Sequence, residues 1–272
     1  MTNRIKIGIV GCGAIGSSLA KFIKKDFNRK AKLVALYDLD RQKAMRLSGL
    51  AGGCPVAKDL AQLITRSDLV IEAASKDCSF SIARQSLIAG RDCMIMSVGG
   101  IIDKFKVLEA LADRRGAKVF IPSGAITGID GLKSARLAKI KRIVLTTIKN
   151  PASFKGVAYV RRKGINLEKI KKELTLFSGS ARQAVRFFPQ NINVAAILSL
   201  AGLGPDKTKV RIVAAPGVKT NTHEIEIYSE AGTIRTRTEN VLHPDNPKTS
   251  FLAVLSALAV LKQILEPIRI GT

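Results

Sequence analysis

The chain has no tryptophan, two histidines and four cysteines in its 272 residues. Each scarcity removes a class of function. With no Trp and only 5% aromatics, stacking platforms for nucleic-acid bases are not evident. Cys12, Cys54, Cys78 and Cys93 form no CxxC pair and no metal-ligand spacing. They read as reduced, mostly buried thiols of a cytoplasmic protein, and no metal is expected. No apolar run approaches the roughly 20 residues that cross a bilayer; residues 251–261 form the most apolar stretch and are too short. A basic start (Arg4, Lys6) ahead of an apolar run faintly imitates a leader peptide, but the glycines within that run account for it better.

Acid is scarce as well. There are 21 Asp and Glu against 45 Lys and Arg, giving a net charge of +24 and a pI near 10.3. That balance invites a nucleic-acid reading. The basic residues, however, are spread over segments 21–32, 136–142 and 161–172, and no helix-turn-helix or basic arm is apparent. They read as solvated faces that also attract anionic ligands, and no nucleic-acid partner is expected. What the chain has in quantity is apolar residue, 46% with a mean hydropathy of +0.15, enough for one large or two ordinary folded domains.

The organising stretch is residues 5–20, IKIGIVGCGAIGSSLA. It reads as a buried strand, then Gly11-Cys12-Gly13-Ala14-Ile15-Gly16, then a helix beginning near Ser17. A GxGxxG between strand and helix is a dinucleotide fingerprint. Gly11 permits the tight turn, Gly13 lets backbone approach a pyrophosphate, and Gly16 allows close helix–strand packing. A second apolar strand, residues 32–38, ends in Asp38, where a ribose-binding carboxylate belongs. NAD or NADP is therefore the expected cofactor. Asp38 favours NAD because a carboxylate repels a 2′-phosphate, and Arg41 close by softens that exclusion.

Short apolar runs then alternate with helical segments. Residues 40–50 read as a helix, 54–56 as a short strand, 58–65 as a helix and 68–74 as a buried strand. Residues 77–89 suit a helix, 92–97 a strand, 105–115 a helix and 118–121 a strand. This alternation predicts an α/β fold with a Rossmann-type, doubly wound parallel sheet. Small residues close several strands (Ala73-Ala74-Ser75, Ser97 to Gly100, Ser123-Gly124-Ala125), where ligands of open α/β sheets bind. Ala74 is accordingly a candidate cofactor contact.

Past Pro122 the pattern changes to that of a second α/β domain with a mixed or antiparallel sheet. Residues 142–149, 209–214, 223–229 and 233–238 alternate like half-buried strands, and 157–161 suit a strand or a loop. Residues 167–177 and 180–187 look helical, with Ser180 a cap, and Asn193 opens an Ala- and Leu-rich helix. In Asn246-Pro247-Lys248-Thr249-Ser250, Asn at a cap and Pro at the first helical position announce a final apolar helix. The expected domains are 1–122, completed by 246–272, and 123–245.

With two histidines the search for a proton shuttle is short. His223 starts a strand on the same face as Ile225 and Ile227; periodicity alone slightly favours a histidine filling a core edge with its nitrogens satisfied by backbone. His243, beside Pro244, reads as a surface histidine. Lys248 and Thr249 stand at the expected helix start, where N–H groups and an ammonium can hold a carboxylate; capping is the plainer alternative.

The set Ser123-Gly124-Ala125-Ile126-Thr127-Gly128-Ile129-Asp130, Asn191-Ile192-Asn193-Val194-Ala195-Ala196, Thr222-His223-Glu224-Ile225 and Glu239-Asn240-Val241, leading to Asn246-Pro247-Lys248-Thr249-Ser250, resembles the L-aspartate dehydrogenase family over nearly the whole chain. The resemblance implies a Rossmann domain plus a catalytic α/β domain, use of NAD or NADP, and a homodimer. It implies that His223 is the catalytic histidine and that Ala125 and Asn193 contact cofactor. It further implies oxidation of L-aspartate to iminoaspartate and then oxaloacetate plus ammonia, or the reverse, with His223 as general acid/base titrating near neutrality. A link to NAD biosynthesis through iminoaspartate belongs to the same implication. One departure stands out: Leu242-His243 occupies a loop where relatives often carry Pro-Ser.

Two other readings compete. Sugar or polyol dehydrogenases share the two-domain plan, but they usually carry Glu-Lys-Pro after the fifth strand, where this chain has Ser97-Val98-Gly99-Gly100. A non-enzymatic NAD-binding regulator is motivated by the net charge alone. Dinucleotide folds host all three.

Overall fold

A computed structural model of the chain describes residues 4–188, 192–244 and 246–271, with the side chains of 192 and 246–248 outside that description. The chain divides into two units: Met1–Pro122 with Val254–Arg269, and Ser123–Ala253 with Ile270–Thr272.

The first unit alternates strand and helix: β1 (Ile5–Val10), α1 (Ala14–Asp26), β2 (Ala31–Tyr37), α2 (Arg41–Leu50), α3 (Leu60–Arg66), β3 (Leu69–Glu72), α4 (Lys76–Ile88), β4 (Asp92–Ile95), α5 (Phe105–Arg115) and β5 (Val119–Phe120). The five strands pair in parallel in the order β2-β1-β3-β4-β5. Strand residues alternate between two buried faces. Ile7 and Ile9 pack with Leu19 and Ile23 of α1 and Ala44 and Leu47 of α2. Val10, Ala35 and Val70 face the opposite way, onto Leu63 and Ile64 of α3 and Ile82 of α4. Burial on both faces is what makes these strands read as unbroken apolar runs. Each fully buried Leu or Ile contributes about 1.5–3 kcal/mol. The C-terminal helix α10 (Phe251–Leu265) adds Val254, Ala257, Leu258 and Leu261 to the α1 side of this core.

The second unit holds α6 (Ile129–Ala135), β6 (Ile140–Lys149), α7 (Ala158–Arg162), β7 (Leu174–Ser180), α8 (Ala181–Phe187), α9 (Ile192–Ala201), β8 (Lys209–Ala214), β9 (Asn221–Ser229), β10 (Gly232–Asn240), β11 (Leu242–His243) and β12 (Asn246–Ser250). Five of these strands form a mixed sheet ordered β10-β9-β6-β8-β7, in which only the β6–β8 pair is parallel. Beside it Phe154, Tyr159, Phe177, Phe187 and Phe188 form a ring cluster with centroids 5.0–6.3 Å apart.

Several expectations need correction. Helix α1 starts at Ala14 rather than near Ser17, so the second half of the glycine motif is itself the first helical turn. Residues 54–56 make only an isolated bridge, Leu36 to Val56. The segment read as helix over 167–177 is one 3-10 turn at Leu167–Lys169, opened by the Asn166 side chain, followed by strand β7. Phe177 joins the ring cluster and β7 completes a sheet edge, so tertiary pairing overrides the local pattern. Residues 157–161 are mostly helix α7, not strand. Asn246 to Ser250 is strand β12, not a helix cap. Its backbone is engaged across a hairpin, with Leu242 opposite Ser250 and His243 opposite Asn246, and the helix begins at Phe251. A two-stranded ladder tolerates Pro247, which has no N–H to donate. Among the described residues, no helix is long and apolar enough to cross a membrane.

Candidate active site

In the first unit the strand order reverses at β1, with β2 on one side and β3 on the other. At the carboxyl ends of these strands lies a cleft of about 400 Å³, lined by Gly11, Gly13, Asp38, Ala73, Ala74 and Ser75, among others. The glycines do different work there. Gly11 has φ +97°, and a Cβ on it would stand 2.4 Å from the Ala73 carbonyl oxygen. A Cβ on Gly16 would stand 1.9 Å from the Gly11 carbonyl oxygen, so α1 can reach the turn only without a side chain there. A Cβ on Gly13 would meet nothing within 4 Å: that position opens into free space at the N-terminus of α1. Unpaired N–H groups at a helix start beside an open glycine suit a pyrophosphate. Ala14, Ile15 and Gly16 form the first turn of α1 rather than lining the cleft.

Asp38 follows β2 at the cleft rim. Its carboxylate accepts the Cys12 N–H at 2.7 Å and the Asp40 N–H at 2.9 Å, which ties the glycine turn to the end of β2. Burial, reinforced by the Asp38 charge, pushes the Cys12 thiol up to about 12, so a neutral thiol sits inside the motif. Beneath the cleft, buried Glu72 ends β3 and holds two strand ends together. It accepts from the Ala74 N–H at 2.9 Å and from the Ser97 N–H and hydroxyl at 2.9 and 2.8 Å. Burial raises its carboxyl and these hydrogen bonds pull the other way. Three donors on one buried acid are what such a group requires. The residues present fit a dinucleotide.

The second unit carries a polar row across its sheet. Thr238 of β10, His223 of β9 and Thr147 of β6 stand opposite one another in register. His223 is 3% exposed, and its Nδ1 lies 3.0 Å from Thr147 Oγ1. The partner is thus a side chain, not the backbone expected for a core-edge histidine. Thr238 Oγ1 lies 3.0 Å from Thr127 Oγ1. Nor does His223 titrate near neutrality: burial, then the charge of Lys149, lowers its pKa to about 3, leaving a neutral imidazole at pH 7. Lys149, at the end of β6, is itself brought down by burial to about 8. Asn240, buried at the end of β10, donates from Nδ2 to the carbonyls of Ala125 (3.0 Å) and Asn221 (3.1 Å), pinning the loop that carries Ala125 to the start of β9. Its Oδ1 has no partner among the described residues.

The remaining candidates fall as follows. Ala125 is buried in the pinned loop, and Asn193 is exposed in the first turn of α9. Thr249 is half-buried in β12. Lys248 belongs to the same strand, and its side chain lies outside the described residues, as does Asn191. His243 is not a surface residue: it is 4% exposed in β11, with its ring edge-to-face against Phe251 at 5.5 Å. Sequence reasoning assigned no role to Thr147, Lys149 or Glu72, and it marked Asn240 only as part of the family motif. The alternating segment RIVLTTIK did mark one face of β6, which puts Thr147 and Lys149 together, but not the strand opposite them.

Known proteins resemble the chain at every level. A family model for the C-terminal domain of aspartate dehydrogenase matches residues 130–264, and one for the NAD-binding domain of homoserine dehydrogenase matches residues 11–122. An L-aspartate dehydrogenase of Methanococcoides burtonii is 44% identical over 272 residues, covering 98% of this chain and all of the relative. One of Methanosarcina barkeri is 45% identical over 271 residues, with the same coverage. Among solved structures, the aspartate dehydrogenase of Thermotoga maritima superposes with a TM-score of 0.78 at 27% identity, covering 99% of this chain and all of that one. A homoserine dehydrogenase of Thiobacillus denitrificans, with a TM-score of 0.64 at 14% identity, covers 97% of this chain and 74% of its own and shares the fold alone. Identity above 40% along the full length is not a matter of fold, and the chain belongs to the L-aspartate dehydrogenase family.

Proposed function

We propose that the protein oxidises L-aspartate with NAD or NADP, yielding iminoaspartate and then oxaloacetate plus ammonia, or runs the reverse reductive amination. The observation that carries this reading is His223, buried and side-chain anchored in the second unit of a chain from this family.

When bound, a nicotinamide cofactor accepts the hydride that leaves Cα of L-aspartate. The chain's own residues do the rest. Gly11, Gly13 and Ala74 admit the dinucleotide backbone, and the Asp38 carboxylate offers its remaining lone pairs to the ribose hydroxyls, favouring NAD. Ala125 and Asn193 supply further cofactor contacts, and Lys248 and Thr249 substrate contacts. Thr147 fixes the His223 ring: with Nδ1 donating to Oγ1, the lone pair falls on Nε2. His223 takes a proton from the water that adds to the C=N carbon. It returns that proton to nitrogen and then accepts the one on the new hydroxyl as the C–N bond breaks, so that the carbonyl forms and ammonia leaves.

The same reading makes the protein a cytoplasmic homodimer whose iminoaspartate feeds NAD biosynthesis. Turnover of the purified protein against amino acids and polyols tests it. NAD(P)H formation confined to L-aspartate supports the reading; turnover of a polyol, or none despite NAD binding, refutes it.

A further inference from the structure

Among the described residues of the second unit, one cation is withdrawn from solvent without a counter-charge. Lys149 ends β6, two residues and about 7 Å beyond Thr147 on the same face of the sheet. That face is the one on which Thr147 meets His223. Lys149 is half-buried, and its Nζ makes no hydrogen bond or ion pair with any described residue. A desolvated ammonium without an anion is unfavourable where it stands. Burial brings it down only to about 8, so the cation persists at pH 7. Nothing in the packing of β6 requires a cation there: Ile143 and Leu145, on the same face as Thr147 and Lys149, are apolar and buried.

We propose that Lys149 is a substrate-binding residue, an ammonium kept unpaired so that a carboxylate of the dicarboxylic substrate completes it beside His223. The inference rests on the reading of the chain as an aspartate dehydrogenase and adds a residue that fixes its preference for dianionic substrates. A carboxylate seated on Lys149 satisfies its N–H donors. It also cancels the positive charge that opposes protonation of His223. The pair then works as a unit: the substrate's own charge makes its proton acceptor a better base.

Binding of succinate, a four-carbon dicarboxylate that cannot react, tests this directly. Calorimetry on the full-length protein, with and without NAD, compares wild type with Lys149→Met and Lys149→Arg. Loss of a charge-assisted hydrogen bond raises the succinate Kd about tenfold to a hundredfold in Lys149→Met. Lys149→Arg retains most of the affinity, and the Kd for NAD, which reports the fold of each variant, stays unchanged. In turnover the same Met variant raises KM for L-aspartate far more than it lowers kcat. Succinate binding to Lys149→Met as tightly as to wild type overturns the proposal, and so does a wild type that binds no dicarboxylate. A wild type that binds succinate through Lys149 yet does not oxidise L-aspartate leaves the carboxylate site standing and removes the activity instead.

Discussion

His223 Nδ1 lies 3.0 Å from Thr147 Oγ1 across the β6–β9 ladder, and both side chains are almost wholly buried. The hydroxyl fixes the ring's rotation. Thr147→Val keeps the shape and removes the partner, so kcat falls about tenfold to a hundredfold, and His223→Ala lowers it further. NAD affinity stays the same in both. Steady-state kinetics beside NAD titrations check this; a Val variant with unchanged kcat removes Thr147 from the mechanism.

The same burial makes His223 a source of acid sensitivity. Its native pKa, about 3, lies below the ordinary 6.5, so the unfolded chain binds a proton that the native one refuses. Stability contributed by His223 is fully present above pH 6.5 and is lost as pH falls towards 3. Between pH 6.5 and 4.5 that loss is about 2–3 kcal/mol. Urea denaturation across this window shows a shallower pH dependence for His223→Gln than for wild type. Identical slopes contradict a neutral, buried His223.

The glycines of the cleft separate folding from binding. Gly13→Ala meets no protein atom within 4 Å, so the variant folds with an unchanged Tm while its methyl group occupies the phosphate approach. Its Kd for NAD rises about tenfold or more. Gly11→Ala instead places a Cβ 2.4 Å from the Ala73 carbonyl at φ +97° and loses stability first, by about 1–3 kcal/mol. Thermal melts and NAD titrations distinguish the two, and a Gly13→Ala protein that binds NAD normally argues against a pyrophosphate at that turn.

Asp38, proposed above to read the ribose, also ties down the Cys12 N–H. Asp38→Ala therefore weakens NAD more than NADP, and Asp38→Asn, which keeps an acceptor for Cys12, isolates the charge. The ratio of Kd values for the two cofactors is the measurement. An unchanged ratio in both variants assigns the choice to another residue.

The glycine turn, both strands around it and Asp38 were legible because their chemistry is local: strand, turn, helix and acid follow one another in sequence. His223 was legible as a position on a periodic strand but not as a chemical state. Its low pKa comes from burial and from Lys149 on a neighbouring strand, and only the sheet register brings those together. Strand β7 was misread as helix because its lysine-rich approach carries no period-2 signal, and its pairing partner, β8, comes some thirty residues later in the chain. His243 looked superficial beside Pro244, yet Phe251 of α10 covers it. Nothing in the local sequence signals that packing.

The most direct measurement is a product balance: L-aspartate and NAD incubated with the purified protein, followed by quantification of NADH, ammonia and oxaloacetate. The account predicts equal amounts of all three, with none formed by His223→Ala above background. NADH without ammonia, or ammonia without NADH, contradicts it.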